Sequence, residues 1–294
     1  MSHTTRLCNL CPRHCNAPRE EERLGVCGMP HVIHISRVAP HMWEEPPISG
    51  TRGSGTVFFT GCNLRCVFCQ NRTISHEHKG EPVTEERLMD MMLYLQDEGV
   101  HNINLVTPTH YSGTLVRLLQ KIKPRLHIPV VWNSSAYELP RALRALEGLV
   151  DIYLPDFKYA SQELAARYSS APDYPAVAAE AIVEMHRQVG PVVFSADGLL
   201  VRGMIVRHLV LPGHRADSME VLRRLANLIP PTELRVSIMR QYTPDFAMDC
   251  PYPNLHRRVT DFEYNSVLTE ASRLGLNGYA QGKDAANRAF TPDF

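Results

Sequence analysis

The sequence predicts an α/β protein: a partial (β/α)6 TIM-like barrel with a C-terminal extension over residues 51–294, behind a small Cys-rich, metal-binding segment at 1–50. Three observations predict it. From residue 56 onward, short apolar runs alternate about six times with helix-length stretches, the rhythm of parallel strands joined by right-handed crossovers. The runs are continuously apolar, as expected of strands whose outer face is covered by helices. Residues 1–50 break the rhythm and carry four cysteines and six prolines, too few residues to build a core without help. Six units fall short of the eight that close a barrel, so the barrel should stay open.

The elements follow in order. TVFFT (56–60) is a strand leading into a cysteine loop. A helix is predicted over 84–98: Thr84 suits the cap, Glu85 and Glu86 the first turn, and Gly99 the stop, with Leu88, Met91, Met92 and Leu95 at helical spacing. INLVT (103–107) is a strand, followed by a helix beginning near Ser112; VVWN (130–133) precedes a helix at 139–147; DIYLPDFK (151–158) is the next strand. Val177, Ala181, Met185 and Val189 share one face of a helix running from Pro175 to Val189, with Gly190 past its end. Asp197-Gly198 between PVVFS and LLVRG reads as a hairpin turn. MIVRHLVL (204–211) is a strand, 217–228 a helix, and LRVSIM (234–239) the last clear strand. Thr260 and Glu263 form a capping box for a final helix stopped by Gly275.

The chain has 31 basic and 31 acidic residues, a balance that gives no sign of a nucleic-acid or membrane surface. No apolar run is long enough for a signal peptide or membrane helix, so a cytoplasmic location is expected. There, eight cysteines should not pair as disulfides. Cys8, Cys11, Cys15 and Cys27 form one group and Cys62, Cys66 and Cys69 another, and such clustering points to metal. Cys250 stands apart and reads as an ordinary small residue.

Chemistry in such barrels sits at the C-terminal ends of the strands, which puts GCNLRCVFCQN (61–71) on the functional rim. Its C-x3-C-x2-C spacing offers three thiolates where tetrahedral zinc or an ordinary cubane takes four protein ligands. Three thiolates can hold three irons of a [4Fe-4S] cube and leave the fourth iron open to a substrate or cofactor. The alternative is zinc completed by a distant histidine.

This spacing, with Phe68 before the third cysteine, resembles the main motif of the radical S-adenosylmethionine (SAM) superfamily. HMWEEPPISGTRGSGTVFFTGCNLRCVFCQN (41–71), LVTPTHY (105–111), DIYLPDFKY (151–159), YSSAPDYP (168–175), EMHRQVG (184–190), VRHLVLPGH (206–214) and SIMRQYTP (237–244) resemble a branch related to pyruvate formate-lyase activating enzymes, sometimes labelled PflX-type. The resemblance implies an oxidoreductase in which SAM chelates the open iron through its amine and carboxylate. A flavodoxin- or ferredoxin-like donor reduces the cluster, and the 5′-deoxyadenosyl radical formed by S–C bond cleavage takes a hydrogen atom from a substrate.

The resemblance also implies SAM contacts. Phe68 is placed for the adenine. Thr107-Pro-Thr-His110 stands where many relatives carry Gly-Gly-Glu, so Thr107, Thr109, His110 or backbone carbonyls would support the amine. Asn133 and Ser134 are placed for the ribose or carboxylate. Asp156 and Lys158, on one side of a strand, and Arg207 are placed for the carboxylate end; Gln241 and Tyr242 face the same rim. Asn63 and Arg65 are candidates to tune the cluster. His41, Glu44 and Glu45 read as a polar loop near its entrance.

Cys8, Cys11, Cys15 and Cys27 supply four thiolates, a count that suits zinc or a second [4Fe-4S] cluster. Three functions are expected to compete: activation of a glycyl radical enzyme, radical modification of a peptide, protein side chain or small molecule, and a non-catalytic metal-stapled scaffold.

Overall fold

The computed structural model describes residues 7–21, 23–286 and 294. In chain order the elements are β1 (Ile33–His41), α1 (Pro46–Ser49), β2 (Ser54–Phe59), α2 (Arg72–Ser75), β3 (Glu81–Val83), α3 (Glu85–Asp97), β4 (Ile103–Val106), α4 (Ser112–Ile122), β5 (Val130–Ser134), α5 (Pro140–Arg144), β6 (Ile152–Pro155), α6 (Gln162–Ser169), α7 (Tyr174–Val189), β7 (Val193–Phe194), β8 (Leu200–Leu209), α8 (Arg215–Leu228), β9 (Arg235–Met239), α9 (Asp261–Arg273) and β10 (Gly278–Ala280).

Strands β2, β4, β5, β6, β8, β9 and β10 pair in that order, all parallel, and the ladder runs open from β10 to β2. Beyond β2 it continues antiparallel through β1 to β3. Every residue of β2, β4, β5 and β6 is buried, which explains their continuous apolar sequence. The expected α/β fold with a mainly parallel sheet is the one observed.

Strand alternation divides these buried residues between two faces. Val57, Phe59, Ile103, Leu105, Val130 and Trp132 pack outward with helical residues such as Leu88, Met92 and Leu119. The intervening positions face the barrel interior. At its lower end Val131, Ile152, Leu154, Leu200 and Ile205 close around Ile48 of the one-turn helix α1. The segment before β2 thus supplies an apolar plug to the barrel floor.

Local signals hold where they are strongest. The Thr84 side chain caps α3, accepting from the Arg87 amide, and the Thr260–Glu263 capping box opens α9. β7 and β8 form the expected antiparallel pair. Several elements differ from expectation. β6 stops at Pro155, whose nitrogen has no proton to donate, although Asp156 and Phe157 still donate to the Ser134 and Arg207 carbonyls. The helix expected at 139–147 is regular only over Pro140–Arg144. Helix α6, capped by Ser161, strand β1 and strand β10 were not anticipated. In the last of these, Gly278 lies so close to β9 that a Cβ there would stand 1.8 Å from the Val236 carbonyl oxygen. LRVSIM is therefore not the last strand.

Residues 7–21 and 23–30 lie against the barrel through two arginines. Arg19, 5% exposed, donates to the carbonyls of Met29, Pro30 and His110. Arg13 donates to the carbonyls of Asn63, Ser169 and Ser170.

Candidate functional site

A cavity of about 600 Å³ occupies the barrel interior and the C-terminal ends of its strands. The β2–α2 loop forms one wall. Gly61 opens that loop with φ near +85°, and a Cβ there would meet the Cys27 carbonyl oxygen at 2.8 Å, so the turn and the close approach both require glycine. Cys62, Cys66 and Cys69 follow, and all three line the cavity. Cys66 Sγ lies 3.0 Å from the Ser169 hydroxyl and Cys69 Sγ 3.2 Å from that of Ser75. Tyr159 in turn bonds Ser169 at 2.8 Å.

Burial pushes the Cys62 thiol up to about 12, with further repulsion from Cys66 and Cys69. Burial also raises Cys69. Cys62 and Cys69, which burial sets against ionising singly, suit a cationic metal group, because coordination deprotonates a thiol outright. Among the described residues no three His, Cys, Asp or Glu side chains are arranged to hold a single metal ion. A cubane asks for something different, one thiolate for each of several irons, and the three-thiol loop fits that demand.

Facing the thiols is a buried charged network. Lys158 Nζ donates to Asp156 Oδ2 at 2.6 Å. Arg207 Nε donates to Asp156 Oδ1 at 2.9 Å, its Nη1 to Glu44 Oε2 at 3.3 Å, and its Nη2 to Asn133 Oδ1 at 2.6 Å. The Asn133 and Asn104 amides both donate to Glu44 Oε1. Burial raises the Asp156 carboxyl, but Arg207 and Lys158 outweigh it and hold the group below its usual range. Burial likewise works against the Lys158 charge, and Asp156 and Cys66 outweigh it. Strand period explains the assembly: Asn104, Asn133, Arg207 and, just past β6, Asp156 all fall on the inward set.

The expected SAM residues divide. Phe68, Thr107, Asn133, Ser134, Asp156, Lys158, Arg207 and Gln241 line the cavity with the three cysteines. Thr107 does so with φ near +60°. The Ser134 hydroxyl is turned toward Glu138, at 2.6 Å. Thr109 and His110 do not reach the wall. Thr109 bonds the buried Glu138, and the His110 ring is buried with Nε2 2.7 Å from the Thr60 carbonyl oxygen. Tyr242 packs beneath Phe68, ring centroids 6.0 Å apart, and donates to the Leu255 carbonyl. Asn63 is buried, donating to the Tyr137 carbonyl.

Sequence reasoning placed Glu44 and Glu45 in an entrance loop. They instead line the cavity wall, Glu45 buried and Glu44 half-buried. Two prolines directly after them suggested a loop; nothing local says that the loop folds inward. Ser169, Ser75, Ser237, Tyr279 and Gln281 are further site residues with no distinct sequence signal.

The four N-terminal thiols form a separate group outside this cavity. Cys11 and Cys27 are buried. Burial pushes the Cys11 thiol up to about 11, with Cys27 and Cys8 adding repulsion. Cys27 is raised by burial, and Cys8 and Cys15 act in the same direction. The four are thus electrostatic neighbours. Arg65, between two cysteines of the barrel loop, donates to the Val26 carbonyl beside Cys27.

The family model of the radical SAM superfamily matches residues 56–226. That is more than half of the chain, and the chain belongs to this superfamily of enzymes, whose members carry a [4Fe-4S] cluster and bind SAM. The chain is 29% identical over 286 residues to an uncharacterized protein of Methanocaldococcus jannaschii, covering 92% of this chain and 75% of that protein. Among solved structures, a single-residue mutant of spore photoproduct lyase superposes with a TM-score of 0.52 at 11% identity, covering 76% of this chain and 74% of the lyase. Streptococcus suis SuiB bound to S-adenosylmethionine superposes with a TM-score of 0.50 at 13% identity, covering 75% of this chain and 48% of SuiB. This chain therefore spans about half the length of SuiB; at such identities the likeness is one of fold. Among the described residues no helix is long and apolar enough to cross a membrane.

Proposed function

We propose that Cys62, Cys66 and Cys69 hold a [4Fe-4S] cluster and that the charged network binds SAM beside it, in an enzyme that removes a hydrogen atom from a further substrate. When bound, cluster and SAM supply one-electron reductive cleavage and a carbon radical; an external flavodoxin- or ferredoxin-like protein would supply the electron. The observation carrying this reading is the juxtaposition of three thiols with Asp156, Lys158 and Arg207 in one cavity. Lys158 suits the methionyl carboxylate, with Arg207 fixing Asp156 and adding its charge, and Asp156 suits the amine, a role that Thr109 and His110, engaged elsewhere, do not fill. Phe68 and the Ser134–Ser135 segment supply surface for the nucleoside. The hydroxyls of Ser169 and Ser75 direct hydrogen bonds at sulfur, a lever on cluster potential.

For the substrate, the resemblance of the chain to activating enzymes supports abstraction from a glycine of a partner enzyme. The second reading, modification of a peptide, protein side chain or small molecule, is favoured by the carboxylate-lined inner wall, which a bare glycine does not require. The four N-terminal thiols are proposed to hold a second cluster rather than zinc, since among the described residues no three such side chains are arranged around a single ion.

Anaerobic reconstitution with dithionite and SAM tests the reading. Wild type should yield 5′-deoxyadenosine, while Cys66→Ala should lose the product and part of its iron but keep its helix content. No product from fully loaded wild type would leave a metal-stapled scaffold. A persistent glycyl doublet in electron paramagnetic resonance with a candidate partner would select the first substrate class, and its absence alongside product the second. About eight irons per chain would place a cluster at the N-terminal thiols, and about four irons with one zinc would place zinc there.

A further inference from the structure

Glu45 belongs to the inner cavity wall and feels the Arg207 charge, but the Arg207 nitrogens are hydrogen-bonded to other acceptors. The two cations, Arg207 and Lys158, are matched by Asp156 and Glu44, and the three hydrogen-bonding nitrogens of Arg207 are committed to Asp156, Glu44 and Asn133. Glu45 is a third carboxyl group, raised above its ordinary value by burial against the opposing pull of Arg207, so that an arriving cation favours its ionised form. It is 8% exposed, it lines the cavity, and its Oε2 is buried without a hydrogen-bond partner. Ser237 of β9 is its one side-chain hydrogen-bond neighbour. A buried carboxylate oxygen left unpaired is costly unless a donor arrives. Beside Glu45 stand Ser237, Tyr279 and the Arg207 charge, and Met239 and Gly278 line the same cavity. That mixed lining suits the end of an organic molecule better than a hydrated ion.

We propose that Glu45 receives a cationic nitrogen, an amine or guanidinium, on the molecule that this enzyme acts upon. The proposal rests on the reading of the cavity as a SAM-dependent active site and names the substrate class for it. Glu45 and Ser237 form the acceptor end. The thiol loop forms the other end; Arg207 stands in register with Ser237 of β9 and with Asp156 just past β6, so the charged network flanks the acceptor end. A ligand anchored at Glu45 extends from it toward the thiol loop, along the wall of β9 and β10. Arg207 holds Glu44 away from this role by occupying its Oε2, so that a single carboxylate oxygen is presented.

The test uses anaerobically reconstituted protein with SAM present, titrated calorimetrically with butylammonium, methylguanidinium and neutral butanol. At least one cation should bind saturably and butanol should not; Glu45→Gln should weaken that binding tenfold or more, and Glu45→Asp should restore part of it. Where Glu45→Gln fails to fold, wild-type preference for the cation over butanol, with hydrogen-exchange protection of residues 42–50, decides the same question. Three outcomes overturn the proposal: neither cation binds, Glu45→Gln binds as wild type does, or Glu45→Gln loses SAM affinity as severely as cation affinity, which would assign the carboxylate to the cofactor. Failure of the underlying reading looks different: wild type would bind the cation yet form no 5′-deoxyadenosine.

Discussion

Arg207 touches three acceptors with three nitrogens, and its loss leaves Glu44 and Asp156 without their shared cation. Breaking a buried pair in this way costs about 3–5 kcal/mol, so Arg207→Met should lower the urea midpoint strongly, whatever is bound. Arg207→Lys should recover only part, because an ammonium cannot span three acceptors. His110 makes a different residue-scale prediction. Burial, with Arg19 nearby, pushes its imidazole down to about 3, and burial takes His208 to about 4. Both values lie below the unfolded value, so the unfolded chain binds protons first as pH falls. Their contribution to stability is therefore full above about pH 6.5 and is lost progressively toward the folded values, with a slope of up to about 1.4 kcal/mol per pH unit for each group. His110→Phe should flatten thermal stability against pH in that window. The thiol loop was legible in the sequence through its spacing, whereas Asp156, Lys158 and Arg207 were singled out by the resemblance, strand period adding only that Asp156 and Lys158 share a side. Glu45 was not legible, since its burial depends on a loop folding under a barrel that does not yet exist at the level of local sequence.

At the scale of elements, periodicity revealed the parallel strands and the capped helices, while β1 and β10 escaped notice. β10 is three residues long and begins on a glycine. Its pairing rests on close approach of two backbones, a property that no hydrophobic pattern records. Gly278→Ala should therefore detach β10 from β9, raising hydrogen exchange across 276–281 and loosening the cavity wall that Tyr279, Ala280 and Gln281 build. Helix α9 offers a milder contrast. Glu263 accepts from Arg257, from the Thr260 backbone and from the Gly213 amide, so the cap also ties α9 to the loop after β8. Thr260→Ala should cost about 1 kcal/mol, read from the urea midpoint, without altering the cavity.

For the whole molecule, the decisive feature is how residues 7–21 and 23–30 are fastened. Arg19→Met removes charged donors from the Met29 and Pro30 carbonyls and from that of His110 on the barrel and should free this segment to limited proteolysis while the barrel stays folded. If the N-terminal thiols hold metal as proposed, the metal-to-protein ratio should fall in the same variant. The segment and the barrel loop are also laced reciprocally: Arg13 reaches the Asn63 carbonyl next to Cys62, and Arg65 reaches the Val26 carbonyl next to Cys27. Each thiol group is thus steadied by an arginine from the other's neighbourhood. Whatever ordering one group gains on filling lowers the entropic cost of filling the other, and linkage makes that help mutual. During maturation the two sites should consequently fill as a pair, so that native mass spectrometry of partly matured protein finds empty and complete chains in excess over half-filled ones.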